Sequence, residues 1–202
     1  IGTQAAQATG VALAMQIRHE PRVVVCVFGD GATSRGDVYE SMNYAGVRRL
    51  PVVFVVNNNQ WAISVPRSAQ TAAATLAQKA VAAVFVGEQV AGNDVVAVRA
   101  VVGEAIERAR RGEGATLVEA LTYRLTDHTT ADDASRYRSD AEVSEHWKLE
   151  PVARLRNHLV ERGWWGRAQE EELLAECAST IDAAVAEYEA LPPRAPTTMF
   201  DH

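Results

Sequence analysis

The passage that most constrains this chain is "PRVVVCVFGDGA" at residues 21–32, where an unbroken apolar run from Val23 to Phe28 ends in Gly29-Asp30-Gly31. A run so short, apolar and rich in β-branched residues suits a strand buried on both faces, and such strands belong to parallel sheets. Glycine at its carboxyl end lets other atoms approach the backbone closely. The aspartate adds a carboxylate at that point, so the strand delivers a loop built to meet something.

The surrounding text repeats the strand–helix theme. Residues 3–20, "TQAAQATGVALAMQIRHE", form an Ala-rich helical pattern that Pro21 stops, and residues 22–28 follow as a strand. Residues 36–49 place Val38, Met42, Ala45 and Val47 near helical spacing, with Asp37 in the first turn and two arginines in the last, where the helix dipole favours them. Pro51 opens a second strand, "VVFVV". A polar, irregular stretch, "NNNQWAISVPRSAQT", leads to a short helix around 73–83. Residues 94–111 read as an amphipathic helix ending at Gly112, and residues 115–124, "ATLVEALTYR", as a third strand. The expected fold class is α/β, a parallel sheet flanked by helices on both faces. Helical patterns fill the remainder, so residues 1–140 are expected to form the α/β domain and 141–202 a C-terminal helical extension. Trp147, Trp164 and Trp165 are expected to pack that extension.

Composition excludes several classes. With 202 residues, 48% hydrophobic and 23% charged, the chain can bury a core and is not a disordered polymer. A net charge of -6 offers no broad basic surface for nucleic acid. The chain has no apolar stretch of the ~18 residues that a membrane-spanning helix needs. Cys26 and Cys177 form neither a metal-ligand spacing nor a disulfide framework. A cytoplasmic location is the expectation, with neither nucleic acid nor membrane as partner.

In open parallel sheets, ligands gather at the carboxyl ends of the strands. "GDGA", "NNNQWAI" and "RLTDHTTADD" follow the three strands, so they are expected to converge on one edge. Asp30 with an asparagine amide oxygen and a backbone carbonyl would make part of an all-oxygen shell. Such a shell suits a hard divalent cation such as Mg²⁺, with phosphate oxygens and water in the other positions. The glycines and the helix start near residue 36 would face the phosphates. Alone, Gly29–Gly31 also describes a tight turn capping a helix. The register with Asn58-Asn59, which follows Gly31 after 26 intervening residues, selects the ligand reading.

That spacing resembles the thiamine diphosphate motif. The text around it is similar to the alpha subunit of the E1 component of 2-oxo acid dehydrogenase complexes, through "GDGATSRGDVYESMNYAGVRRLPVVFVVNNNQWAISVP", "TLAQKAVAA", "LVEALTYR", "DHTTADDASRYRS" and "ERGWW". The resemblance implies a thiamine-diphosphate-binding fold, with thiamine diphosphate and Mg²⁺ as cofactors. It implies that Asp30 and Asn59 bind the metal by side chains and Trp61 by its carbonyl. Gly29, Gly31 and Ala32 would line the diphosphate, and Ile63 would hold the cofactor bent. His128 would lie beside the diphosphate and act catalytically in acyl transfer. Ile1 would stand at the margin of the aminopyrimidine pocket, because relatives carry a longer portion before "GTQ" and this chain is expected to lack it.

The implied activity is oxidative decarboxylation of a small 2-oxo acid, with pyruvate expected first, and reductive acyl transfer to a lipoyl group. The cofactor would be the electron sink. Implied partners are an E1 beta subunit, in an α₂β₂ heterotetramer, and the lipoyl domain of the E2 acyltransferase. A branched-chain 2-oxo acid is the alternative substrate, and a noncatalytic fragment or scaffold is the alternative role. Arg124, Asp132, Asp133, Tyr137 and Arg138 are expected to tie down the His128 loop through ion pairs. Asp127 places a carboxylate next to His128, where relatives often carry Gly-His or Gly-Pro.

Overall fold

A computed structural model describes residues 1–201. The chain divides into two compact units, the first ending at Leu155 and the second beginning at Arg156.

In the first unit, helix α1 (Thr3–Ile17) leads to strand β1 (Val24–Gly29), a 3₁₀ turn over Asp30–Ser34, helix α2 (Gly36–Arg48) and strand β2 (Val52–Asn58). A two-stranded antiparallel hairpin of β3 (Trp61–Ala62) and β4 (Val65–Pro66) follows, then the single-turn helices α3 (Arg67–Gln70) and α4 (Lys79–Ala82). Strand β5 (Val86–Ala91), helix α5 (Val95–Arg110), strand β6 (Thr116–Leu121) and helix α6 (Asp140–Trp147) continue the unit. Helix α7 (Pro151–Glu161) and helix α8 (Arg167–Glu189) complete the helical part of the chain.

The main sheet is wholly parallel, in the order β1-β2-β6-β5. Its topology decides where the helices go. The β1–α2–β2 connection steps in one direction along the sheet and β5–α5–β6 steps back. Two right-handed crossovers in opposite directions must lie on opposite faces. Strand β2 records the result residue by residue. Val52, Phe54 and Val56 join the core beneath α1 and α2, with Cys26, Phe28, Val38, Met42 and Leu50. Val53 and Val55 pack instead with Val118, Ala120 and the α5 residues Val98, Val101 and Ile106. Helix α5 covers β2, β5 and β6. On β1 the same face is open, and Val25 and Val27 are exposed.

Besides the open face of β1, where burial on both faces is the expectation, four expectations change. Strand β5 has no counterpart in the sequence reading, so the parallel sheet has four strands rather than three. The polar stretch after β2 contains the β3–β4 hairpin. The helix expected over 73–83 is one turn, Lys79–Ala82. The first helix stops at Ile17, before Pro21, as His19 takes a left-handed φ of 54°.

The second unit contains the rest of α7, helix α8 and a 3₁₀ turn over Pro196–Phe200. None of its described residues is fully buried. Glu170 organises its turn: Arg156 donates to Oε1 at 2.8 Å and the Trp165 indole N–H to Oε2 at 2.6 Å. These two donors hold the Glu170 carboxyl below its ordinary pKa, the Arg156 bond being the larger cause. Trp164 is mostly exposed, so of these two tryptophans only Trp165 packs as expected. Among the described residues of both units, no helix is long and apolar enough to cross a membrane.

Candidate cofactor site

The β1 strand ends at Gly29, and the chain turns at once into the 3₁₀ turn that carries Asp30, Gly31 and Ala32. Asp30 is only 3% exposed. Its carboxylate accepts from the Gln70 side-chain amide at 3.1 Å. Burial pushes the Asp30 carboxyl above the ordinary aspartate range. The Gln70 amide, the N–H groups of Asp30 and Gly31, and Arg124 at longer range pull it back only in part. Thr33 closes the turn by donating to the Asp30 carbonyl at 2.7 Å. Buried Lys79 in turn donates to the Thr33 carbonyl at 2.7 Å and to its hydroxyl at 2.9 Å.

The loop after β2 meets this turn. A Cβ added to Gly31 would lie 2.9 Å from the Ala62 methyl group, so the hairpin sits where only glycine leaves room. Beside Gly29 the opposite holds, since nothing lies within 4 Å of where its Cβ would be. Asn59 accepts from the Trp61 N–H at 3.1 Å through its side-chain oxygen. Asn58 is fully buried and donates to Glu119 Oε1 at 2.6 Å. Ile63 has a φ of 56°, a left-handed conformation that a β-branched residue adopts only under strain, costing about 1–3 kcal/mol. Arg124 holds it there by donating to the Ile63 carbonyl at 2.8 Å, and it also reaches the Trp61 carbonyl at 3.4 Å.

Arg124 joins the third loop to the other two. Its guanidinium donates to the Tyr137 hydroxyl at 2.6 Å, and that hydroxyl donates to Asp132 at 2.5 Å. The Tyr137 ring lies 5.4 Å from the Trp61 ring. Asp132 also accepts from the His128 N–H at 2.8 Å. The Tyr137 bond, the His128 bond and Arg124 hold its carboxyl below the ordinary range. The loop is therefore pinned differently from the expectation of ion pairs throughout. Only Arg124 and Asp132 approach as a charge pair, at 4.0 Å. Asp133 caps the short turn at Ser135, Arg138 donates to the Arg124 and Thr126 carbonyls, and Asp127 accepts from the Ala134 N–H at 2.9 Å.

Asp30, Gly31, Ala32, Asn59, Trp61 and Ile63 thus lie on turns that touch or share Arg124. His128 stands on the loop tied to them, with its residue exposed. Ile1 is exposed at the start of α1, and a Cβ on the adjacent Gly2 would lie 3.7 Å from Ala32. Sequence reading did not single out Gln70, Asn58 as a Glu119 ligand, Glu119 or Lys79. A glutamate inside an otherwise apolar strand, "TLVEAL", was the available signal for Glu119, because an acidic residue in a buried strand needs partners. Gln70 and Lys79 carried none.

The donor set suits a divalent cation held with a diphosphate. Asp30 is a buried carboxylate whose direct partners are uncharged, which is the state a cation would relieve. The Asn59 amide oxygen and Trp61 carbonyl each keep a second lone pair beyond the bond described. The open space beside Gly29 leaves room for an anion.

Residues 1–197 match the family described as "Dehydrogenase E1 component". The chain is 52% identical over 175 residues to "3-methyl-2-oxobutanoate dehydrogenase subunit alpha" of Mycobacterium tuberculosis, covering 87% of this chain and 48% of that protein. It is 46% identical over 188 residues to "Pyruvate dehydrogenase E1 component subunit alpha" of Staphylococcus aureus, covering 93% of this chain and 51% of that protein. It is 43% identical over all 202 residues to the protein of that name in Staphylococcus epidermidis, covering 55% of it. The chain spans about half the length of the curated relatives it matches. With a family match over nearly its whole length and alpha subunits as its relatives, this chain belongs to the dehydrogenase E1 component family, on the alpha-subunit side.

Proposed function

We propose that this chain is the cofactor-binding part of an E1 alpha subunit in a 2-oxo acid dehydrogenase, working with thiamine diphosphate and Mg²⁺. The observation that carries the reading is the meeting of the buried Asp30 turn with the Asn59–Trp61 turn at the carboxyl edge of the sheet. Asp30, the Asn59 side-chain oxygen and the Trp61 carbonyl would hold the metal, with Gly29, Gly31 and Ala32 beside the diphosphate. The bound cofactor supplies a carbanion nucleophile and an electron sink for decarboxylation. The protein's share is placement. Arg124 keeps the strained Ile63 projecting from the hairpin. Asp132 fixes the backbone of His128, whose imidazole would serve as the proton-transfer group in acyl transfer.

A beta subunit and a lipoyl-bearing acyltransferase domain are the partners this reading requires, with an α₂β₂ assembly. For the substrate, a branched-chain 2-oxo acid is supported ahead of the pyruvate expected from sequence. The relative named for 3-methyl-2-oxobutanoate reaches 52% identity, against 46% for the relative named for pyruvate over a slightly longer span. The test is reconstitution of the protein with a beta subunit. Decarboxylation is then followed with an artificial electron acceptor while Mg²⁺ and thiamine diphosphate are titrated. Turnover should require both and give the larger kcat/KM with 3-methyl-2-oxobutanoate. Failure to bind the cofactor with Mg²⁺ would reject the function, and a larger kcat/KM with pyruvate would reject the substrate.

A further inference from the structure

Glu119 is 1% exposed in the middle of the sheet, on β6, and no cation lies in contact with it among the described ion pairs. Three neutral donors satisfy it. Asn58 Nδ2 donates to Oε1 at 2.6 Å, while the Ala77 N–H at 3.0 Å and Gln89 Nε2 at 3.1 Å donate to Oε2. A buried carboxylate costs several kcal/mol to desolvate, so its retention needs a use. The two ends of this network supply one. Asn58 accepts from the Gln60 N–H at 3.2 Å with its own oxygen, and Gln60 donates back to the Asn58 carbonyl at 3.3 Å. This closes the turn from which Asn59 and Trp61 project. On the other side, Ala77 stands two residues before Lys79, whose ammonium holds Thr33 and so the Asp30 turn.

We infer that Glu119 is a positioning residue that sets both halves of the metal cradle, the Asn59–Trp61 turn through Asn58 and the Asp30 turn through the Ala77–Lys79 segment. The inference rests on the proposed function for its purpose but not for its geometry. The chemistry is directional. Asn58 cannot rotate its amide to suit a changed partner without losing the Gln60 bond, because the same side chain gives its N–H₂ to Glu119 and its oxygen to Gln60. In Glu119→Gln only one oxygen is left for three donors, so one donor must face the new amide N–H₂ group. In Asn58→Asp two carboxylates face each other across a bond of hydrogen-bond length. Combining the two changes restores every bond with one reversed. The new amide at position 119 would donate to the new carboxylate at position 58, and that carboxylate would still accept from Gln60. The amide oxygen at position 119 would still accept from Ala77 and Gln89.

The experiment has two readouts on the full chain. The first is the Mg²⁺ concentration that half-saturates thiamine diphosphate binding in the assembled protein. The second is deuterium uptake of residues 57–66 in the ligand-free protein. Each single change should raise the Mg²⁺ requirement on the order of 10- to 100-fold, the usual cost of removing a group that orients a metal ligand. Each should also speed exchange of the turn, and the double change should recover most of both effects. Unchanged exchange in Glu119→Gln, or a folded double variant no better than the singles, would overturn the inference. Should Glu119→Gln fail to fold, comparison of the double variant with wild type decides by the same two readouts. A wild-type protein that binds no cofactor would reject the functional reading alone, because the exchange result still judges Glu119.

Discussion

Asp30 and Asp132 stand in loops that leave the same sheet, yet their carboxyl groups move in opposite directions. Burial pushes Asp30 above the ordinary aspartate range, with the Gln70 amide and two backbone N–H groups as its nearby donors. Asp132 is held below that range, first by the Tyr137 hydroxyl, then by the His128 N–H, with Arg124 adding its charge. The turns around Asp30 and Asn58 are built mainly from buried hydrogen bonds to amides and from tight packing, while the 124–138 loop is pinned by charged and hydroxyl groups that bond to one another and to the backbone. Two kinds of readiness follow. Asp30 is a buried carboxyl group whose nearby donors are uncharged, whereas Asp132 already has its partners and fixes the backbone of His128.

The largest effect that could break this contrast is at the proposed metal site. Asp30→Ala should abolish Mg²⁺-dependent cofactor binding, measured calorimetrically on the assembled protein, because nothing else in the turn offers a carboxylate. Affinity equal to wild type would remove Asp30 from the site. A smaller effect is expected in the other loop. His128→Ala should lower acyl transfer to a lipoyl group by on the order of 100-fold, the lower range for a lost proton-transfer group. Decarboxylation with an artificial acceptor should fall much less. Equal loss of both half-reactions would give His128 a different role.

The smallest effect is on stability without ligands, and its sign differs between the two aspartates. Asp30 has a raised pKa, so its contribution is full below the unfolded value, about 3.9, and is lost as pH rises through the folded one. Asp30→Asn should therefore raise the Tm of the ligand-free protein at pH 7, with the gain disappearing in acid. Asp132 has a lowered pKa, so its contribution is present above the unfolded value and is lost as pH falls through the folded one. Asp132→Asn should lower protection of the 124–138 loop against protease at pH 7, and the difference should close below about pH 4. Shifts of the same sign for both variants would show that burial does not dominate at Asp30.

Several elements were legible because their signals are local. The helix at 95–110 has Asp94 as its cap, accepting from the Val96 and Ala97 N–H groups, and Gly112 beyond its end at a φ of 77°. Strands β1 and β2 are β-branched runs, and β6 is apolar but for Thr116 and Glu119. Strand β5 escaped notice because "VGEQVA" contains glycine and two polar residues. It is a strand because β6 pairs with it, Val86 opposite Thr116 through Ala91 opposite Leu121. The β3–β4 hairpin escaped because tight turns favour Gly or Asn at positive φ, and here Ile63 takes that conformation. Its cost is offset by Arg124, 61 residues away.

The sequence by itself determined that a buried strand ends in Gly-Asp-Gly, that Asn58-Asn59 closes the next strand, and that helices intervene. These are matters of propensity, capping and period, which neighbours along the chain decide. Only the tertiary structure decided the strand order, the face on which each helix lies, and the companions of the motif residues. Gln70 reaches Asp30 across 40 positions, Lys79 reaches Thr33 across 46 and Asn58 reaches Glu119 across 61. Such pairs form because a buried polar group must find a partner wherever the fold brings one, and that requirement leaves no periodic trace in the residues between them.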